Sequence, residues 1–167
     1  MRLFFISILI LFLSTNIFGQ NRDRIRSSLD SIALLINELP KSPDIISDSK
    51  YEFKYSDDLK SIRIIDLHFV KNSNSKRPDH NVYTFNLSDI DPDAVIIKKS
   101  DKNKEFRIKL TTKNNKIGIK QKVYVNGKPG ANANQYSMTL GPWTYEYLKD
   151  GELITLLFRD AIKESSK

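Results

Sequence analysis

The sequence has 167 residues, a formal charge of +7 and no cysteine. Without cysteine the fold has no disulfides and must be held by its core alone, and no thiol is available to carry a lipid anchor. A zinc site would need both histidines, His68 and His80, and a carboxylate.

The chain opens with Arg2 and an almost unbroken apolar run from Leu3 to Leu13, followed by Ser14, Thr15, Asn16 and Gly19. That order is the pattern of a secretory leader, 1–19. The run is shorter than the roughly 20 apolar residues that span a bilayer, so no transmembrane helix is expected after cleavage; the alternative reading is an uncleaved membrane anchor. The expected location is periplasmic or extracellular. Gln20 to Lys167 is then a mature chain of one domain's size, with an N-terminal helix and linker over 20–50 and a β domain over 51–167.

Removing Arg2 leaves 26 basic and 20 acidic residues, a charge of +6. The segment from Lys98 to Lys128 holds 11 Lys or Arg against Asp101 and Glu105, so it carries +9 and the rest of the mature chain −3. In an exported protein such a basic segment points away from nucleic acid. Anionic lipid headgroups, acidic polysaccharides or an acidic protein face are the partners it fits.

Ile25, Leu29, Ile32, Ala33, Ile36 and Leu39 recur at helical spacing, and Pro40 ends the stripe. Residues 41–50 read as a polar linker with Ile45 and Ile46 tucked inward. From Tyr51 the period becomes two. Tyr51, Phe53 and Tyr55 form one strand. Ile65, Leu67 and Phe69 form the next, with Ile62 and Ile64 out of phase, which implies a bulge near Ile64 or a strand covered on both faces. Residues 71–80 read as a loop that includes His80. Tyr83, Phe85 and Leu87 make a third strand. Val95 and Ile97 mark a fourth, and Phe106, Ile108 and Leu110 a fifth. A long sixth carries Ile117, Ile119, Val123 and Val125. Asn126-Gly127 is a turn signal, the following "NGKPGANANQ" reads as a flexible loop, and Met138 and Leu140 mark a seventh strand. Asp150 is placed to cap a final helix, Glu152 to Lys163, whose apolar residues leave only Thr155, Arg159 and Lys163 as a polar strip. Burial of its six large side chains would contribute about 10 kcal/mol gross. Connections this short require antiparallel pairing, so the expected class is α+β: a helix, about seven antiparallel strands in a curled sheet or open barrel, and a packed C-terminal helix.

Several stretches invite a functional reading. "NLSDIDPDAV" places Asp89, Asp91 and Asp93 at alternate positions. An EF-hand loop starting at Asp89 would need Gly and Glu where Ala94 and Ser100 stand. Ser-Asp and Asp-Pro are turn formers, so the stretch reads as a specified turn with Ile90 directed into the core. Asp66 and His68 share a strand face and could form a general-base dyad, with His80 as a third member of a small hydrolytic or metal site; the competing reading is a solvated polar face. Trp143, Tyr145 and Tyr147 in "GPWTYEY" could form a platform for sugar rings or fill the seam between sheet and helix. The widest candidate surface is basic. With Phe106, Ile108 and Leu110 inward, Arg107 and Lys109 face out. Lys116, Lys120 and Lys122 follow on the next strand, which suggests an anion-binding stripe across a hairpin. The alternative is that these lysines guard sheet edges. An apolar-ligand carrier, with a cavity under the final helix, is a further reading. Nothing in the sequence calls for a cofactor.

The order of elements from Tyr51 to Lys163, short antiparallel strands closed by an apolar helix, resembles the pleckstrin-homology-like architecture. Phosphoinositide-binding members of that group carry basic residues around the first hairpin. Here that connection is "YSDDLK" with Asp57 and Asp58, so the resemblance does not extend to that ligand. The "SDIDPDAV" turn followed by a basic segment also resembles small secreted bacterial proteins without known activity. The reading at this level is an exported, non-enzymatic binding or interaction module.

Overall fold

The computed structural model describes residues 2–39, 47–70 and 79–166, with the backbone alone for residues 2–18, 47–49 and 70. Its elements run α1 (Arg2–Glu38), β1 (Ser47–Tyr55), β2 (Ser61–Val70), β3 (Asp79–Asn86), β4 (Ile96–Ser100), β5 (Glu105–Thr111), β6 (Ile119–Val125), β7 (Lys128–Gln135), β8 (Ser137–Thr144) and α2 (Leu148–Ser165). The strands form two antiparallel sheets and no closed barrel: a five-stranded sheet ordered β1-β2-β3-β6-β7 and a three-stranded sheet ordered β4-β5-β8. The expected α+β class holds. The expected placement of Ile45 and Ile46 and most of the loop 71–80 lie outside the described residues.

The helical stripe is real, but its helix is longer than expected, continuing back to Arg2. Ile25, Leu29, Ile32, Ile36 and Leu39 are buried in the same core as both sheets and α2. The side-chain amide oxygen of Asn37 accepts the β1 backbone N–H of Phe53 at 2.7 Å, fastening the helix to the edge of the sheet.

Three strand assignments are corrected. The pairing of β2 with β1 and β3 runs without a register shift, so there is no bulge at Ile64. The core-facing set is Ile62, Ile64 and Asp66, while Ile65 and Leu67 take the other face. Continuous pairing preserves the two-residue period, and buried Ile62 and Ile64 fix which phase points inward. His80, expected in a loop, lies in β3. Residues 128–135, expected as a flexible loop, form β7, paired with β6 through the Asn126-Gly127 turn, where both residues have positive φ (53° and 74°). Its small and polar side chains are poor strand formers. The hairpin geometry and the hydrogen bonds of β6 override that weak preference.

The aspartate-rich stretch is two short 3₁₀ turns, Leu87–Asp89 and Pro92–Ala94, with Asp91 accepting the N–H of Asp93 at 3.0 Å. Between them Ile90 is fully buried, as expected, and its backbone forms a bridge to Thr112.

The final helix begins at Leu148, so Asp150 sits in its first turn and Tyr147 takes the N-cap position. Ile154, Phe158 and Ile162 are fully buried, but Leu153 and Leu156 are about half exposed, at 45% and 53%. Three fully buried large side chains contribute about 5–9 kcal/mol, less than expected for six. Thr155, placed on the polar strip by its sequence position, is buried, and its hydroxyl donates to the Gly151 carbonyl at 2.9 Å. The Arg159 guanidinium donates twice to the Val95 carbonyl, at 3.1 and 2.8 Å, tying α2 to the entry of β4.

Helix α2 lies directly against the smaller sheet at Gly151. A Cβ there would lie 2.2 Å from Cε2 of the buried Phe106 ring. Alanine gains about 1 kcal/mol of helix propensity over glycine. Overpacking a filled core costs about 1–3 kcal/mol, and an overlap as short as this with a buried ring belongs at the upper end, about 2–3 kcal/mol. Gly151→Ala is therefore expected to lower stability by about 1–2 kcal/mol, a fall in melting temperature of about 2–8 °C. Thermal unfolding of the variant checks this; an unchanged or higher midpoint would contradict the packing described.

Candidate functional site

The basic residues singled out in the sequence do not form one stripe. Strand β5, with Arg107 and Lys109, lies in the three-stranded sheet, whereas β6, with Lys120 and Lys122, lies in the five-stranded sheet. The expected hairpin is corrected: β5 pairs with β4 and β8, and β6 with β3 and β7. The turn between them, with left-handed Asn114 and Asn115, redirects the chain from one sheet to the other. Lys116 lies in that connection.

The register instead gives Lys120 and Lys122 new neighbours. Across the outer face of the five-stranded sheet one row reads Lys54, Arg63, Thr84, Lys120 and Asn134. The next reads Glu52, Ile65, Val82, Lys122 and Asn132, and a third Lys50, Leu67, His80 and Tyr124. Lys50, Lys54, Arg63, Lys120 and Lys122 are all exposed. Five basic residues against Glu52 give these rows a charge of +4. Glu52 itself is paired with Lys54 at 3.4 Å. The centre is apolar and aromatic: Ile65 and Leu67 are half-buried, Val82 is buried, and the His80 ring stacks on Tyr124 at 4.4 Å with 6° between the planes. Arg107 and Lys109 form a smaller group with Lys98, which pairs with Arg107. Both β5 and β6 are interior strands, so edge protection does not account for their lysines.

The alternation of Lys50, Glu52 and Lys54 with Tyr51, Phe53 and Tyr55 was visible in the sequence. What pattern alone could not supply was the long-range pairing of β3 with β6, which brings Lys50, Lys54 and Arg63 onto the same face as Lys120 and Lys122.

Asp66 and His68 do meet. His68 Nε2 lies 3.3 Å from Asp66 Oδ2 on the inner face of the sheet, where Asp66 is buried and His68 half-buried. His80 pairs with Leu67, the residue between them, and so lies on the opposite face. The sheet therefore separates it from the dyad. Among the described residues, no group of three His, Asp or Glu side chains is arranged to hold a metal ion.

The inner face around Asp66 is a polar cluster. Asp66 is flanked in register by Tyr51 and Asn81. Gln121 donates from Nε2 toward Asn81 Oδ1 at 3.2 Å and the Tyr83 hydroxyl at 3.3 Å. The Tyr51 hydroxyl crosses to the other sheet, accepting the Gly141 N–H at 2.8 Å and donating to the Gly141 carbonyl at 3.0 Å. Gly141 has φ of +105°, a backbone suited to glycine, and is followed by a cis bond to Pro142. The Tyr51 ring packs at 5.6 Å from buried Trp143, which in turn packs at 5.5 Å from Phe106. Of the three aromatics in "GPWTYEY", Trp143 thus fills the seam. Tyr145 and Tyr147 are half-buried in a 3₁₀ turn, where the Tyr145 hydroxyl donates to Asp101 at 2.9 Å. The seam under α2 is occupied by Ile154, Phe158 and Ile162, with Phe158 edge-on to Phe53 at 5.9 Å.

Comparison with protein-family models, curated proteins and solved structures finds no match to this chain. Among the described residues no helix is long and apolar enough to cross a membrane.

Burial pushes the Tyr51 phenol well above its ordinary value of 10.0, and the charge of Asp66 pushes it further. Burial, then Asp66, also raises Tyr83. A raised folded-state value means that the folded chain keeps protons the unfolded chain releases. The associated stability is fully present below about pH 10 and is lost as pH rises beyond it. Urea unfolding between pH 8 and 11 should show stability falling above pH 10. Tyr51→Phe should be less stable at pH 8 by about 1–2 kcal/mol, from the lost hydrogen bonds to Gly141, and should fall less steeply above pH 10. Equal slopes for parent and variant would contradict the reading.

Proposed function

We propose that the chain is an exported, non-enzymatic binding module that contacts a polyanionic envelope partner through the outer face of its five-stranded sheet. The observation that carries this reading is the register that sets Lys50, Lys54, Arg63, Lys120 and Lys122 around an apolar centre on one exposed surface. A surface of this kind attracts an anion by summed charge and holds it against a flat, partly apolar floor. The apolar leader supports passage out of the cytoplasm. Antiparallel sheets closed by a C-terminal helix support a pleckstrin-homology-like scaffold, here with an N-terminal helix added to the core. Fold likeness carries no ligand with it.

Binding is measured with phosphatidylglycerol vesicles and, separately, with an acidic polysaccharide. A positive charge near an anionic surface is worth about 1 kcal/mol. Lys120→Glu with Lys122→Glu should therefore weaken binding at least about tenfold and reduce its salt dependence, while Arg107→Glu with Lys109→Glu, on the other sheet, should change it by less than about threefold. Equal loss in both pairs, or loss only in the second, would overturn the assignment of the surface.

A further inference from the structure

The two stretches that stood out in the sequence, the aspartate turn and the basic segment, meet at a separate place. Ser88 and Asp89 from the first 3₁₀ turn and Lys113, Lys116, Ile117 and Gly118 from the β5–β6 connection line a pocket of about 320 Å³. That volume is at the lower end of small-molecule sites. The walls are fixed. Thr112 is buried, and its hydroxyl lies within hydrogen-bonding distance of the Lys116 and Tyr136 carbonyls. Its backbone N–H donates to Tyr136 at 2.8 Å, and Gly118 N–H donates to Gln135 at 3.3 Å. Asn86 Nδ2 donates to Asp89 Oδ2 at 3.1 Å and sets the orientation of that carboxylate. Lys113 Nζ donates to Ser166 Oγ at 3.3 Å.

The charges are arranged unevenly. Asp89 is half-buried beside Gly118, where a Cβ would lie 3.7 Å from Asp89 Cβ and 3.2 Å from Thr112 Cγ2, so the missing side chain keeps that wall open. Lys116 also lines the pocket and is exposed. Among the described residues neither lysine forms an ion pair with Asp89. Opposite charges that face one pocket without neutralising each other suit a ligand that carries both signs. Ile117, 72% exposed, adds an apolar surface at the mouth.

We propose that this pocket binds a small zwitterion, a free amino acid or short peptide, with its ammonium on Asp89 and its carboxylate on Lys113 and Lys116. Phosphate lacks the positive charge that Asp89 would receive, and a simple amine lacks the group the lysines would receive. Each charge-assisted contact removed should cost about tenfold or more in affinity.

The test titrates the full chain with L-alanine and L-alanyl-L-alanine, and with N-acetylalanine, alaninamide and inorganic phosphate as probes missing one charge. Saturation-transfer NMR reads out binding of the organic probes, and displacement of bound L-alanine by added phosphate reads out phosphate. The expected result is that a zwitterionic probe binds at least tenfold tighter than every singly charged one. Asp89→Asn should abolish the preference over N-acetylalanine. Lys113→Gln with Lys116→Gln should abolish the preference over alaninamide. Gly118→Ala, which narrows the wall without touching a charge, should weaken the zwitterion while leaving the thermal midpoint within a few degrees. Equal binding of phosphate or N-acetylalanine would make this a plain anion site, equal binding of alaninamide a plain cation site, and no binding of any probe at tens of millimolar would remove the site; each overturns the proposal. Lys120→Glu with Lys122→Glu should leave the zwitterion affinity unchanged, which separates this pocket from the sheet face.

Discussion

The structure depends on a single chain of close contacts through its centre: Gly151 of α2 against Phe106, Phe106 against Trp143, Trp143 against Tyr51, and the Tyr51 hydroxyl on the backbone of Gly141. It joins the C-terminal helix to the smaller sheet and the smaller sheet to the larger. Each link needs a particular residue. Gly151 is the only residue type that lets helix backbone lie on the Phe106 ring, and Gly141 holds a backbone angle that side chains disfavour. With no disulfide available, this apolar seam does the work of a covalent tie.

The seam and both helices lie on the inner side of the five-stranded sheet, and on its outer side Lys50, Lys54, Arg63, Lys120 and Lys122 are exposed around a partly buried apolar centre. The surface proposed for binding is thereby separate from the residues that hold the fold. The residues on the outer rows contribute charge and contact area, while the inward residues of the same strands hold the fold. Alternation along β1 shows the division plainly: Tyr51 and Phe53 are buried, whereas Lys50 and Lys54 are exposed. The Asp66–His68 pair lies on the inner side of this division, as part of a polar cluster at one end of the core face.

Much of the fold was legible because it rests on local pattern. The α1 stripe, the inward run Phe106, Ile108 and Leu110, the Asn126-Gly127 turn and the core position of Ile90 follow from period and turn chemistry. The failures have physical causes. β7 has almost no strand propensity and exists because β6 lies beside it. Ile62 and Ile64 set the phase of β2, yet Ile65 and Leu67 are equally apolar, and only the pairing decides between the two faces. The full outward site was hidden for the same reason. Lys120 and Lys122 were visible as basic residues, but their neighbours are chosen by the pairing of β3 with β6 across more than thirty residues of chain. Chain order suggested Arg107 and Lys109 as those neighbours, and the switch between sheets at Asn114 and Asn115 placed them elsewhere.

The central claim is that α2 is an integral wall of one shared core. Its most direct test is to remove residues 152–167 and follow thermal unfolding by near-ultraviolet circular dichroism, which reports the packing of Trp143 and Tyr51. Loss of this part of α2, with Ile154, Phe158 and Ile162, should abolish both the aromatic signal and the cooperative transition. A truncated chain that kept the signal and melted as sharply as the parent would contradict the account.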